Sequence, residues 1–155
     1  MSVKKVVLIA LVIGLSGLKA MIVSAADGVV NVASEHSAAD TMDKFENILK
    51  KKGMKVFARI NHQQGASSIG VDLRPTELII FGNPKVGSPL MKCQQTIALD
   101  LPQKALVWSD EEGKVWLSYN DPAYLKSRHR VEGCDLKLNK VSKALAGLTK
   151  AATSK

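Results

Sequence analysis

The sequence predicts an α+β domain of two layers, with a five-stranded mixed sheet and helices packed mainly on one face. Two observations carry this prediction. Strand-like segments alternate for the most part with helix-like segments, in the order β α β β α β β α α, but one pair is joined directly as a hairpin. The run at 78–81 is apolar at four consecutive positions, which is typical of a buried central strand.

The first half of the chain supplies two strands and a helix. Residues 28–33 are rich in valine and predict strand one. Ser37 then suits a helix N-cap, an apolar stripe at 42, 45, 48 and 49 predicts an amphipathic helix, and Gly53 suits its end. Residues 54–60 alternate as a second strand, and the polar stretch after it has room for one helical turn.

The central strand is followed by a polar turn, 82–87, and then by the helix we expect to begin with Ser88 as N-cap and Pro89 at its first position. Residues 105–108 and 114–119 predict a hairpin around 110–113. Its facing tryptophans, Trp108 and Trp116, indicate packing across the strands. Asp121 and Pro122 predict another helix start, and leucines and a valine between 138 and 148 predict a final amphipathic helix.

Residues 1–26 have the layout of a secretory signal peptide. Two lysines precede an uncharged run of 13 residues, 6–18, and small residues occupy 24 and 26 before the expected cleavage site. The run is shorter than the roughly 20 residues of a membrane span. We therefore predict a signal peptide over 1–26, a single domain over 27–150 and a frayed tail over 151–155. An uncleaved N-terminal anchor is the alternative. Cleavage places the protein in the periplasm or outside the cell, with no membrane segment left.

The net charge and the two cysteines indicate which classes of partner and which cellular compartment fit this protein. The formal charge of +8 falls to +5 once Lys4, Lys5 and Lys19 leave with the leader, and the remaining excess is scattered, which argues against nucleic-acid binding. Cys93 and Cys134 form an even pair in an oxidising compartment, which favours one disulfide. Two free thiols remain an alternative, as does a metal site shared with a histidine at 62 or 129.

Several ordered motifs resemble one known family. They include 56–62 (VFARINH), 73–76 (LRPT), 80–85 (IFGNPK), 88–91 (SPLM), 99–102 (LDLP), 104–108 (KALVW) and 116–122 (WLSYNDP). This pattern, over residues 28–130, resembles the domain of unknown function 302. The resemblance implies a compact α+β domain, often exported in bacteria, with no established activity. Asn61 stands where the family often has aspartate, which disfavours a mechanism needing a carboxylate beside His62.

The chemistry-bearing residues favour binding over catalysis. The turn after the central strand could hold a small anion through backbone N–H groups and Lys85, and a binding site there would gather His62, Arg74, Asn83, Lys85 and Lys104 in one concavity. The alternative, and the commoner case for such turns, is a structural turn whose glycine, asparagine and proline only satisfy the backbone geometry. We predict no catalytic set, no cofactor and no metal.

The best interpretation is an exported, non-catalytic domain that binds a small, anionic ligand or a partner protein. A hydrolase- or isomerase-like enzyme with His62 as acid or base is the first alternative. A homodimeric interaction module, in which a second chain covers the sheet, is the second.

Overall fold

A computed structural model describes residues 26–155 and shows one five-stranded sheet with helices packed mainly on one face. The strands are β1 (Val29–Ala33), β2 (Lys55–Asn61), β3 (Thr76–Gly82), β4 (Gln103–Ser109) and β5 (Val115–Asn120). The helices are α1 (Ala38–Lys51), α2 (His62–Ser67), α3 (Pro84–Cys93), α4 (Pro122–His129) and α5 (Asp135–Thr153), with a 3₁₀ helix over Gln95–Leu99. The two-layer α+β prediction is confirmed.

The strand order is β1-β5-β4-β3-β2, and every neighbouring pair is antiparallel. The expectation of a mixed sheet was therefore wrong. Helix α1 carries the chain from one edge of the sheet to the other, so the strands on either side of it never pair with each other. Helices α2 and α3 do lie between neighbouring strands, yet β2–β3 and β3–β4 are antiparallel, so a helix between two strands does not by itself predict a parallel pair.

Alternation along each strand sends one set of side chains into the core beneath the helices. Ile79 and Phe81 of β3 are fully buried there, and Phe81 meets Phe45 of α1 edge to face with centroids 5.4 Å apart. The intervening Leu78 and Ile80 face away from the helices and stay half-buried. The continuous apolar run thus reflects a central strand whose second face is apolar but is not packed under the long helices.

Helix α5 closes the core across α1 and α4. Its predicted stripe, at Leu138, Val141, Leu145 and Leu148, is buried as expected. The helix runs on to Thr153, whose carbonyl accepts a hydrogen bond from the N–H of Glu35, and Ala152 is fully buried. The frayed tail expected over 151–155 was therefore wrong, because the last turn packs against the loop before α1.

The predicted signal peptide falls almost wholly outside the described residues. Within 26–155, none of the helices is both long enough and apolar enough to cross a bilayer.

Candidate functional site

The turn after β3 is a helix start. The Asn83 side chain accepts a hydrogen bond from the N–H of Lys85 at 2.9 Å, and Pro84 occupies the first helical position. Helix α3 therefore begins five residues before the start expected at Ser88 and Pro89, and Pro89 lies inside it. Two Pro-containing start signals compete here, and the earlier one prevails because asparagine caps it.

The five predicted ligand residues do not come together. The register pairs Asn61 with Glu77 at one end of the β2–β3 ladder and Lys55 with Gly82 at the other. His62 follows Asn61 and Asn83 follows Gly82, so the two side chains start about 20 Å apart, given roughly 3.3 Å per residue along six steps. The expected concave site uniting them was wrong.

The two ends of the ladder hold different members of the set. At the first end, His62 is exposed on α2, and Arg74 donates to the carbonyl of Ser109 at 3.2 Å. At the other end, Lys104 donates to the carbonyls of Asp100 and Pro102 at 3.1 and 3.3 Å. Those bonds fix the loop before β4, so Lys104 has a structural partner rather than a free charge.

A groove beside Asn83 opens in the helical layer. It encloses about 1020 Å³ between α3, α5, the end of α1 and the start of β2, and we call it the α3–α5 groove. Ile48, Met54, Leu90, Met91 and Leu101 supply much of its apolar wall. A concavity of this size and polarity is typical of small-molecule sites.

Small residues of α5 keep the groove open. Ala144, Gly147 and Ala151 recur at a helical spacing along the groove, and a side-chain carbon built at Gly147 would meet nothing within 4 Å. Larger residues on this stripe would fill the space against α3. The groove therefore follows from the composition of one helix face.

The charge along the groove has one sign. Lys52, Lys140 and Lys143 line it, together with the amide of Asn83 and no acidic side chain. Lysine stems lie along apolar surface while their ammonium groups stay in water, so the rim is cationic above an apolar floor. Of the five predicted residues only Asn83 lines this groove; Lys85 is exposed outside it.

Sequence reasoning missed the contribution of α5. The buried stripe predicts the helix, but that pattern gives no role to the lysines and small residues beside it. The available signal was the alternation of Lys, Ala and Gly beside the buried stripe, which leaves one flank of an amphipathic helix without bulk.

The cysteine prediction agrees with the structure. Cys93 at the end of α3 and Cys134 at the start of α5 lie at disulfide distance, with Cα atoms 6.4 Å apart. The link joins the two helices that wall the groove.

Two polar clusters outside the groove hold elements in place. His129, with only 5% of its side chain exposed, contacts a carboxylate oxygen of Asp100 through Nε2 at 2.5 Å and the hydroxyl of Thr96 through Nδ1 at 3.2 Å. This cluster fastens α4 to the 3₁₀ helix. Among residues 26–155, no group of three or more His, Cys, Asp or Glu side chains is arranged to hold a metal ion.

The second cluster centres on Arg59, which projects from β2 toward α1. Its guanidinium donates to Glu77 at 2.9 Å and to Asp43 and Glu46 at 2.8 Å each. These carboxylates, Glu77 foremost, hold the pKa of Arg59 above its ordinary value. A hydrogen bond from Lys50, and then one from Arg59, holds the pKa of Glu46 below its usual 4.5.

Together the sheet, the helical layer and the groove define a two-layer α+β domain with a ligand-sized concavity. The sequence model of one protein family, the domain of unknown function DUF302, matches residues 30–152. The chain therefore belongs to the DUF302 family. An uncharacterized conserved DUF302 protein from Bacillus stearothermophilus has the same fold, with a TM-score of 0.74 at 18% identity over 82% of this chain and 99% of that one.

Two sequence relatives from Brucella are longer proteins. Fluoride-specific ion channel FluC 1 of Brucella suis biovar 1 is 53% identical over 102 residues, which is 66% of this chain and 40% of that protein. Fluoride-specific ion channel FluC 2 of Brucella melitensis biotype 1 is also 53% identical over 102 residues, 38% of its length. The chain thus spans about two fifths of these relatives.

Proposed function

We propose that this domain binds, without catalysis, a small amphiphilic molecule that has an apolar body and an anionic head. The α3–α5 groove is the observation that carries the proposal. Its floor is apolar and its rim bears three lysines and no acid. An apolar chain along the floor would bring a carboxylate or similar head group to the lysines.

The two parts of such a ligand would contribute differently. Each buried CH₂ contributes about 0.8 kcal/mol, so chain length would set most of the affinity. An exposed lysine contributes about 0–1 kcal/mol per ion pair, so the rim would choose the sign of the head group more than it strengthens binding. Affinity and charge preference are therefore separable by mutation.

A thermal-shift comparison tests this proposal with three ligands of equal chain length: decanoate, decanol and decyltrimethylammonium. Anything that binds only the folded state raises Tm. We expect decanoate to raise Tm most and the cation least. Lys140→Gln with Lys143→Gln should remove the preference for decanoate over decanol. Lys150→Gln with Lys155→Gln, which also removes two positive charges but from residues that do not line the groove, should keep it.

Equal shifts for all three ligands, or none for any of them, would contradict the proposed groove site. Loss of the decanoate preference in Lys150→Gln with Lys155→Gln as well would show that net charge, not the rim, selects the head group.

Export through residues 1–26 belongs to the proposal as well. The uncharged run and the small residues before Asp27 support it. Expression of the full chain in a bacterium should yield a periplasmic protein whose N-terminus is Asp27. A full-length mass in the cytoplasmic fraction would contradict it.

A homodimeric interaction module is the second candidate function. Leu78, Ile80 and Leu106 of the central strands face away from the long helices and remain half-buried. A second copy laid against this apolar sheet face would remove it from water. Light scattering at micromolar concentration should then give twice the chain mass; a monomer mass would contradict this candidate.

The names of the longer relatives support a proposal about where in the cell the domain acts. We propose that the domain works beside a fluoride channel at the membrane, because much of this chain matches a segment of proteins with that name. Deleting the gene should make cells more sensitive to fluoride, and the intact gene should restore resistance. Unchanged sensitivity would contradict this placement.

A further inference from the structure

The Cys93–Cys134 pair joins two sulfurs in unequal surroundings. Cys93, at the end of α3, is exposed to solvent. Cys134, the residue immediately before α5, is only 2% exposed. A thiol arriving from solvent therefore meets Cys93 first. Attack there makes Cys134 the leaving sulfur.

The surroundings of Cys134 favour a negative charge on its sulfur. The ammonium of Lys137 lies 3.6 Å from Cys134 Sγ and 4.0 Å from Cys93 Sγ. Cys134 also precedes the 19 residues of α5, whose N-terminal N–H groups carry partial positive charge. The adjacent carboxylate of Asp135 is paired with Lys126, which offsets its repulsion. A nearby lysine and a helix N-terminus are the features that stabilise thiolates in reactive cysteines.

Cys93 also has a partner ready for its reduced form. The carbonyl oxygen of Pro89 lies 3.3 Å from Cys93 Sγ and 3.9 Å from Cys134 Sγ. A Cys93 thiol can donate to that oxygen without movement of the backbone. Reduction therefore yields a Cys134 thiolate beside Lys137 and a Cys93 thiol beside the Pro89 carbonyl, and both contacts are favourable.

We propose that Cys93–Cys134 is a thiol–disulfide exchange site for small thiols. An incoming thiolate forms a new S–S bond with Cys93 Sγ as the Cys93–Cys134 bond breaks, and the electron pair leaves on Cys134 as a thiolate beside Lys137. A second thiolate then attacks the mixed disulfide, releases the small disulfide and leaves both cysteines reduced. The reverse sequence, with a small disulfide as oxidant, restores the bond.

Lys137 is a positioning residue in this proposal, and its charge gives the test. Oxidised protein is equilibrated with 2-mercaptoethanol and its disulfide, an uncharged couple that removes electrostatic attraction of the reagent itself. Alkylation and mass spectrometry give the reduced fraction. At about pH 9.5, where an ordinary cysteine thiol is mostly ionised and a lysine is still mostly charged, Lys137→Gln should lower the equilibrium constant for reduction roughly fivefold, the effect of one charge about 4 Å from a thiolate in water-like surroundings. Lys150→Gln, on the same helix far from the sulfurs, should leave it unchanged.

Single-cysteine variants test which sulfur is attacked. With Cys134→Ser, Cys93 should form a mixed disulfide with the reagent at once; with Cys93→Ser, the buried Cys134 should react at least tenfold more slowly, by the same mass measurement. Comparable far-UV circular dichroism shows that both variants are folded.

Three results would overturn the proposal. The first is a disulfide that stays oxidised across all practical ratios of thiol to disulfide, which is the behaviour of a structural bridge. The second is equal reactivity of the two sulfurs. The third is a reduction constant that Lys137→Gln and Lys150→Gln change alike.

Discussion

Replacing Gly147 by alanine and by phenylalanine separates the two roles of the groove-lining face of α5. Gly147 lies well inside the helix, and nothing occupies the space where its side chain would be. Glycine in a helix interior costs about 0.8–1.0 kcal/mol relative to alanine. Gly147→Ala should therefore raise the free energy of unfolding by about 1 kcal/mol.

For a domain of this size, that gain corresponds to a rise in Tm of roughly 3–5 °C. Urea denaturation should show a higher midpoint with an unchanged slope, because the surface exposed on unfolding barely changes. Ala146→Gly, at the exposed neighbouring position, supplies the matched control and should lower stability by a similar amount.

Gly147→Phe keeps the backbone gain but places a large ring in the groove. We expect it to fold with stability near that of the wild type and to lose the Tm rise caused by decanoate. A Gly147→Ala variant that is less stable than the wild type would refute the geometry of this helix face. A Gly147→Phe variant that still responds fully to decanoate would refute the groove as the binding site.

Three further predictions concern the clusters and the sheet. His129→Ala should cost about 2–4 kcal/mol in urea denaturation, because Asp100 loses its buried partner, whereas exposed Arg128→Gln should cost less than about 1 kcal/mol; equal costs would contradict this. The pKa of Glu46 is lowered in the folded state, so its contribution to the free energy of unfolding is present above about pH 4.5 and is lost as the pH falls further. Arg59→Gln removes one cause of that lowering and should flatten the acid side of the stability profile, whereas an unaltered slope would contradict this. If a second copy covers the sheet, the wild type should be a dimer by light scattering and Ile80→Lys should give a monomer mass; a dimeric variant would contradict this.

The sequence was sufficient for the elements but not for their assembly. The caps at Ser37 and Asp121 and the buried stripe of α5 are local signals, and the structure follows them. The strand order depends on α1, which crosses from one edge of the sheet to the other, and β2–β3 and β3–β4 pair antiparallel although a helix separates each pair; no local pattern encodes either feature.

The site shows the same limit. The segment after β3 was predicted as a polar turn leading to a helix, but the helix already begins at Pro84 with Asn83 as its cap. Its predicted neighbours His62 and Arg74 lie at the other end of the β2–β3 ladder. The residues that follow a strand do not show, in the sequence, at which end of the sheet they lie. The groove is formed by four elements, α1, β2, α3 and α5, that come from separate parts of the chain, so only the fold reveals that Lys52 and Lys140 line the same concavity.

The central claim is that the α3–α5 groove takes up an apolar chain with an anionic head. Isothermal titration of the wild-type protein with decanoate at two temperatures tests it most directly, because burial of apolar surface gives a negative heat-capacity change. We expect saturable binding of one decanoate with a clearly negative heat-capacity change, both lost in Gly147→Phe. Binding that does not saturate, or that Gly147→Phe leaves intact, would contradict it.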